Sequence, residues 1–409
     1  MKKFSPFILT LCLMILSNCD DDVFVDSDKD GIEDSSDRCL DTLSGHEVDS
    51  SGCAESQKDS DFDGVSNDFD LCDDTPYRDL VDENGCSIYI YLDDNGVTVK
   101  AYQNARAGQS YILNGVSYLV VDRYQLANLI AQGDSLPPIC TSLITDMSEL
   151  FRDSPFNQDI RSWDVSRVTN MELMFIRSSF NQDISAWNVG SVVDMNYMFY
   201  ESQFNQNISS WNVSKVTDMS GMFYKSQFNQ EISAWDVSRV TNMELMFRDS
   251  PFNQDIRSWN VSNVTDMEAM FAETSFNQDI SSWDVNNVIT MAGMFIDSQF
   301  NQDISSWDVS NTTNTLAMFA ISSFNQDISP WDVSKVTNMR HMFSESSFNQ
   351  DISSWNVSNV INMVSMFQDS QFNQDISSWD VSNVIECEDF STDTPNWTLP
   401  KPNFTNCTP

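Results

Sequence analysis

Histidine is almost missing from this chain: 409 residues contain two, His46 and His341. No nucleophile elbow, zinc motif or phosphate-cradling glycine loop accompanies them, so hydrolytic, metal-hydroxide and phosphoryl-transfer chemistry find no familiar set of groups. Positive charge is also scarce. Twenty-one Lys and Arg stand against 61 Asp and Glu, for a formal net charge of -40, and such a surface repels nucleic-acid phosphates and anionic membranes. Apolar stretches stay short. The run from Phe7 to Leu16 is about half the ~20 residues that a membrane-spanning helix needs.

That run follows Met1-Lys2-Lys3 and precedes Leu16-Ser17-Asn18-Cys19, the order of a signal peptide over residues 1–18. Its last four residues resemble the lipobox of bacterial lipoproteins. The resemblance implies lipidation at Cys19, against the plainer reading of a secretory signal with an incidental cysteine. Asp20-Asp21-Asp22 within a 19–24 tether resembles the acidic signal that sends lipoproteins of Bacteroidota to the outer face of the outer membrane. Cell-surface display is therefore expected, with a lipid anchor as the membrane contact. Export also places the remaining cysteines in an oxidising compartment.

Residues 25–87 carry two copies of one pattern: Asp26, Asp28, Asp30, Gly31, Asp34, Asp37, Cys39, then Asp59, Asp61, Asp63, Gly64, Asn67, Asp70, Cys72. Carboxylates at alternate positions before a turn-forming Gly let one short loop offer several oxygens to a hard cation, and calcium is the expected ion. With the tails that end in Gly52-Cys53 and Gly85-Cys86, the pattern resembles the thrombospondin type 3 repeat in its bacterial form. That likeness implies a calcium-binding stalk, with Cys39 paired to Cys53 and Cys72 to Cys86. A disordered acidic tether is the alternative, since the segment has few apolar residues to offset the cost of ordering.

Residues 88–138 alternate apolar and polar, with turn signals at Asp94-Asn95-Gly96 and Asn114-Gly115. They predict two hairpins and then a helix capped by Asp122 that carries Leu126, Leu129 and Ile130 on one face. The whole reads as an N-terminal cap over an exposed edge, or as a separate binding domain.

From Phe156 a single 24-residue sentence repeats. Its Phe falls at 156, 180, 204, 228, 252, 276, 300, 324, 348 and 372, with no insertion in any copy. Eight columns stay apolar, in the first copy Phe156, Ile160, Trp163, Val165, Val168, Met171, Met174 and Phe175. The Ile-x-x-Trp-x-Val spacing matches Leu-x-x-Leu-x-Leu of a leucine-rich repeat and predicts a short parallel strand. Val168 to Phe175, at intervals of three and four, predict a short helix or turn. The expected fold over 139–390 is a repeat solenoid of leucine-rich-repeat-like coils. These residues resemble the BspA-like leucine-rich-repeat surface lipoproteins (the 26-residue-type surface repeats), a likeness that implies surface display and adhesion and carries no catalytic residues.

The invariant Trp column reads as core rather than as a sugar-stacking ladder. Two acidic columns, from Asp159 and from Asp164, read as turn caps, with a calcium ladder as the sharper alternative. Thr312 and Thr315 replace Val and Met in their columns and mark an expected weak point. Residues 391–409 form an expected C-terminal cap closed by Cys387–Cys407. Cys140 is left as a free or intermolecular thiol. Outward residues that vary between copies, among them Arg177, Tyr200, Tyr224, Lys225 and Arg248, are the best carriers of specific recognition. The expected function is non-enzymatic binding or adhesion to an extracellular protein or polysaccharide. A structural surface coat is the rival, and a glycan-processing role the remote one.

Overall fold

The computed structural model describes residues 24–133 and 135–409. The signal peptide, Cys19 and the Asp20–Asp22 run lie outside them. Among the described residues no helix is long and apolar enough to cross a membrane. The chain divides into two compact units, one ending at Ile88 and one spanning Tyr89–Pro409.

Among its described residues the first unit has almost no regular secondary structure beyond a single 3-10 turn, Glu55–Gln57. Too few apolar residues are present to build a sheet or helix pair around. Aspartate side chains and turns fold the backbone instead. Each of its two halves is closed by one disulfide, Cys39–Cys53 and Cys72–Cys86, as the type 3 resemblance implied. The halves share one framework of bonds. Thr42 donates its hydroxyl to the Gly52 carbonyl at 2.8 Å, and Thr75 does the same to Gly85 at 2.6 Å.

The second unit opens with two hairpins. β1 (Ile90–Leu92) pairs antiparallel with β2 (Val99–Ala101), and β3 (Ser110–Leu113) with β4 (Val116–Val120). Asn114 and Gly115 join the latter pair with φ of 51° and 78°, the two positive values that a tight hairpin turn of this kind requires. Helix α1 (Arg123–Ala131) starts where Asp122 and Gln125 exchange side-chain-to-backbone bonds, a capping box. β5 (Ile139–Cys140) then adds to β4 in parallel. Val121, Leu126 and Ile139 belong to the same buried cluster as the repeats, so α1 and the start of β5 share their core, while Ile90, Val99 and Val120 gather with Cys140 in a smaller cluster.

The repeated part departs from the expected strand-plus-helix coil. No strand forms at Ile160–Val165 or its copies; turns lie there. The parallel pairing falls instead on the column of Asp146, Asn170 and Asp194, one bridge per copy as far as Glu386. Nor is Met171–Phe175 helical. Met171, Leu173, Phe175 and Arg177 donate their N–H groups to carbonyls of the next copy (Asp194, Asn196, Met198 and Tyr200), at 2.7 to 3.0 Å. Met174, Ile176 and Ser178 close turns within their own copy, and Glu172 bonds the Asn170 side chain. All eight N–H groups from 171 to 178 are thus satisfied without a helical ladder. Left-handed φ at Leu173 and Arg177, 55° and 49°, permits the alternation, and the same two columns are left-handed down the stack. Only Gly221 and Gly293 in these columns are glycines, so the sequence carries little sign of the turns.

The apolar columns are buried. From Ile160 to Val384 their members are at most 5 % exposed; Phe156, under the cap, is half-buried. Phe175 stacks on Phe199 at 5.5 Å, with rings 2° from parallel. Each Trp from 187 to 379 sends its indole N–H to the carbonyl of an Ile in the preceding copy, as Trp187 does to Ile160 at 3.1 Å, so the column is core. Buried indole and carbonyl satisfy one another, which apolar stacking alone would not achieve.

The Asn-Gln pair after each Phe forms a second ladder. The Asn157 side-chain oxygen accepts from the Asn181 N–H and the Gln182 amide at 2.9 and 3.1 Å. At the last copy Asn373 accepts instead from Thr398 and Leu399, and Trp397 donates to the Gln374 carbonyl. With Cys387–Cys407, the tail thereby satisfies the final rung.

One sequence expectation is corrected here and a second is narrowed to one of its alternatives. Thr312 and Thr315 are not a weak point by reason of unpaired hydroxyls. Thr312 donates to the Val288 carbonyl at 3.0 Å and Thr315 to the Asn338 carbonyl at 3.3 Å. Cys140 is free and fully buried, its Sγ 3.4 Å from the Val99 carbonyl. Burial pushes its thiol pKa up, and that location is closed to an intermolecular disulfide.

Candidate metal centres and ligand surface

In both acidic loops one carboxylate oxygen is anchored and its twin is left without a partner. Asp30 Oδ1 accepts from the Ile32 N–H at 2.8 Å and Asp37 Oδ1 from Cys39 at 2.8 Å. Their Oδ2 atoms are buried with no hydrogen-bond partner. In the second loop Asp61 Oδ2 accepts from Thr75 and Asp63 Oδ1 from Val65, while Asp61 Oδ1 and Asp63 Oδ2 have none. Leaving a buried carboxylate oxygen unpaired costs about 1–3 kcal/mol or more. A divalent cation coordinated by these oxygens would remove that cost and the mutual repulsion together.

The donor set is compact. Asp26, Asp28 and Asp30 present ligand oxygens within 4.8 Å of one another, and so do Asp59, Asp61 and Asp63. Among the described residues these are the carboxylate triads with that geometry. A fourth carboxylate comes from beyond each loop. A Cβ placed on Gly52 would lie 2.0 Å from Asp37 Oδ1 and 3.2 Å from Asp30 Oδ2, and one on Gly85 2.0 Å from Asp70 Oδ1 and 3.0 Å from Asp63 Oδ2. Gly52 and Gly85 therefore hold the space into which two carboxylates converge. All-oxygen, acid-rich and flexible, the set suits calcium better than a metal that prefers nitrogen or sulfur.

Asp34 and Asn67, also expected as ligands, are hydrogen-bonded to the start of their loops. Both Asp34 oxygens accept from Ser27, at 2.7 and 2.6 Å, and Asn67 Oδ1 accepts from the Ser60 N–H at 2.9 Å. These bonds fasten the start of each loop to its end.

The acidic columns of the repeats cap turns. Asp183 accepts from the Ser185 N–H and Asp303 from Ser305, each at 2.9 Å, and those backbone bonds hold both carboxyls below their usual range. The column from Asp164 does likewise, as with Asp236 and the Ser238 N–H.

The outward variable residues converge more than their spacing suggested. Tyr200 stacks on Tyr224 with centroids 4.9 Å apart. Lys225 Nζ and Arg248 Cζ lie 5.4 and 5.6 Å from the Tyr224 ring. Arg177, whose backbone N–H bonds the Tyr200 carbonyl, is bound through its guanidinium to Asp153 at 2.5 and 2.9 Å. Tyr197 was missed by the sequence reading. Its ring meets Tyr200 edge-on at 5.9 Å and lies across Gly221, where an added Cβ would come 2.3 Å from it. A bulky residue followed 24 positions on by Gly was the signal available.

Taken together, the 24-residue bond pattern and the aromatic columns define a repeat protein. The family model described as "Mycoplasma protein of unknown function, DUF285" matches it in five overlapping stretches, 130–227, 200–299, 224–323, 251–347 and 297–399. The chain belongs to that family, in keeping with the resemblance to BspA-like surface repeats. No curated protein matches it.

Proposed function

We propose that this is a surface-displayed binding protein without enzymatic activity, anchored through lipidated Cys19, whose calcium loops stiffen a thrombospondin type 3-like stalk over 25–87 and whose repeats wind as a solenoid that presents a ligand surface. The observation that carries the reading is where variation falls. Positions that stay constant from copy to copy are buried, occupied in ladders or capping turns, and bulky outward side chains gather in three consecutive copies around Tyr197, Tyr200, Tyr224 and Arg248. A coat protein without a ligand would have no reason to gather them. Asp26, Asp28, Asp30 and Asp37, with Asp59, Asp61, Asp63 and Asp70, would hold the calcium. In this reading the ion supplies charge neutralisation and rigidity and takes no part in bond-making.

Two measurements test this. Calorimetric titration of the full chain with calcium is expected to give two binding events, and no heat at millimolar calcium would sink the metal reading. Probing an array of matrix proteins and glycans with the calcium-loaded chain is expected to give a ligand that saturates. Uniform silence on the array would favour the coat.

A further inference from the structure

We infer that Tyr197 and Tyr200 form a stacking corner for a neutral pyranose chain, which rests on the binding-protein reading above and names its ligand class. The chain has ten tyrosines, and the three within 139–390 are Tyr197, Tyr200 and Tyr224. All three meet at one place. Tyr197 lies over Gly221 and is half-buried, so part of it stays open to solvent. Tyr200 stands at 87° to it and is backed by Tyr224, which Arg248 and Lys225 back in turn. The result is a floor and a wall of aromatic carbon held by packing before any ligand arrives. The C–H face of a sugar ring is polarised so as to favour the negative face of such rings.

Charge chooses among sugars. Lys225 pairs with Glu201 at 3.8 Å and Arg248 with Glu273 at 2.6 Å, so the cations nearest the corner already have carboxylate partners. The Tyr200 hydroxyl bonds Glu201 at 3.1 Å. On a chain of net charge -40 an anionic polymer would meet repulsion, whereas the hydroxyls of a neutral one find carboxylate acceptors beside the rings.

The columns supply their own conservative variants. Leu occupies the Tyr197 column at 173 and 245, and Ala the Tyr200 column at 272 and 320, so Tyr197→Leu with Tyr200→Ala places residues that the same backbone already carries. The test is affinity electrophoresis of the full chain through gels that contain β-1,3-glucan, β-1,4-xylan, galactomannan or, as the anionic counterpart, alginate. Retardation by at least one neutral polymer is expected, weakened roughly tenfold or more in the double variant and largely kept in Tyr200→Phe. Circular dichroism and the melting temperature, unchanged in the variants, show that folding is not the cause. Retardation by a neutral polymer that the double variant leaves intact overturns the corner while the binding-protein reading stands. Retardation by alginate alone, or by no polymer, overturns the saccharide assignment; the protein arm of the array then decides the broader reading separately.

Discussion

A single methyl group should be enough to close one acidic loop to its ion. Gly52 has a φ of 78°, and its missing Cβ leaves room for Asp37 and Asp30. Gly52→Ala is therefore expected to remove one of the two calcium binding events in a calorimetric titration and to leave the other, because the Gly85 loop is built from its own residues. At the core, Trp259 is 3 % exposed and bonds the Ile232 carbonyl. Trp259→Ala should cost about 3–5 kcal/mol in urea unfolding. Thr312→Val, by contrast, removes a hydroxyl already bonded to Val288 and places there the residue its column carries elsewhere. A change within about 1 kcal/mol is expected, since the bond lost and the apolar area gained nearly cancel. Hydrogen exchange around 311–316 should match that of neighbouring copies.

Stacking identical turns also stacks identical charges, and here the two kinds of carboxylate respond to acid in opposite senses. Asp183 and Asp303 have lowered pKa values because backbone N–H groups bind their ionised form. Their contribution is present above the ordinary carboxylate pKa of ~3.9 and is lost as pH falls through the lower folded value. Glu244 is raised, by burial first and then by Asp266 and Glu268. Its folded state holds the proton more tightly than the unfolded chain does, so the contribution is full below the ordinary value of ~4.3 and is lost as pH rises through the folded value. Glu244→Gln should accordingly raise the melting temperature at pH 7 and lose that advantage near pH 4. An equal shift at both pH values would locate the effect in packing rather than in charge.

Across the chain the two units draw stability from different sources. Residues from 121 onward share one long apolar cluster with ladders between copies, and Ile90, Val99, Ala105, Val120 and Cys140 form a smaller one. The 24–88 segment relies on two disulfides and carboxylate-anchored turns. Removing calcium from the oxidised chain is expected to accelerate amide exchange between 25 and 87 and to leave the repeats unchanged, as read by exchange mass spectrometry. Uniform acceleration would mean that the repeats too depend on the ion.

Much of this was legible in advance because a fixed period makes every column a repeated experiment: the buried residues, the cysteine pairs and the loop carboxylates recur in register. The path of the backbone within each copy was not. A Met-x-x-Met-Phe spacing fits a helix, and nothing in Leu173, Tyr197 or His341 announces a left-handed φ. What selects it is the neighbouring copy, whose carbonyls accept alternate N–H groups only if the chain reverses at those positions. The same holds at the surface. Composition put three tyrosines in the repeats, but it took the contact of Tyr197 with a glycine one copy away to make them a corner, since side chains 24 residues apart become neighbours only when the copies stack.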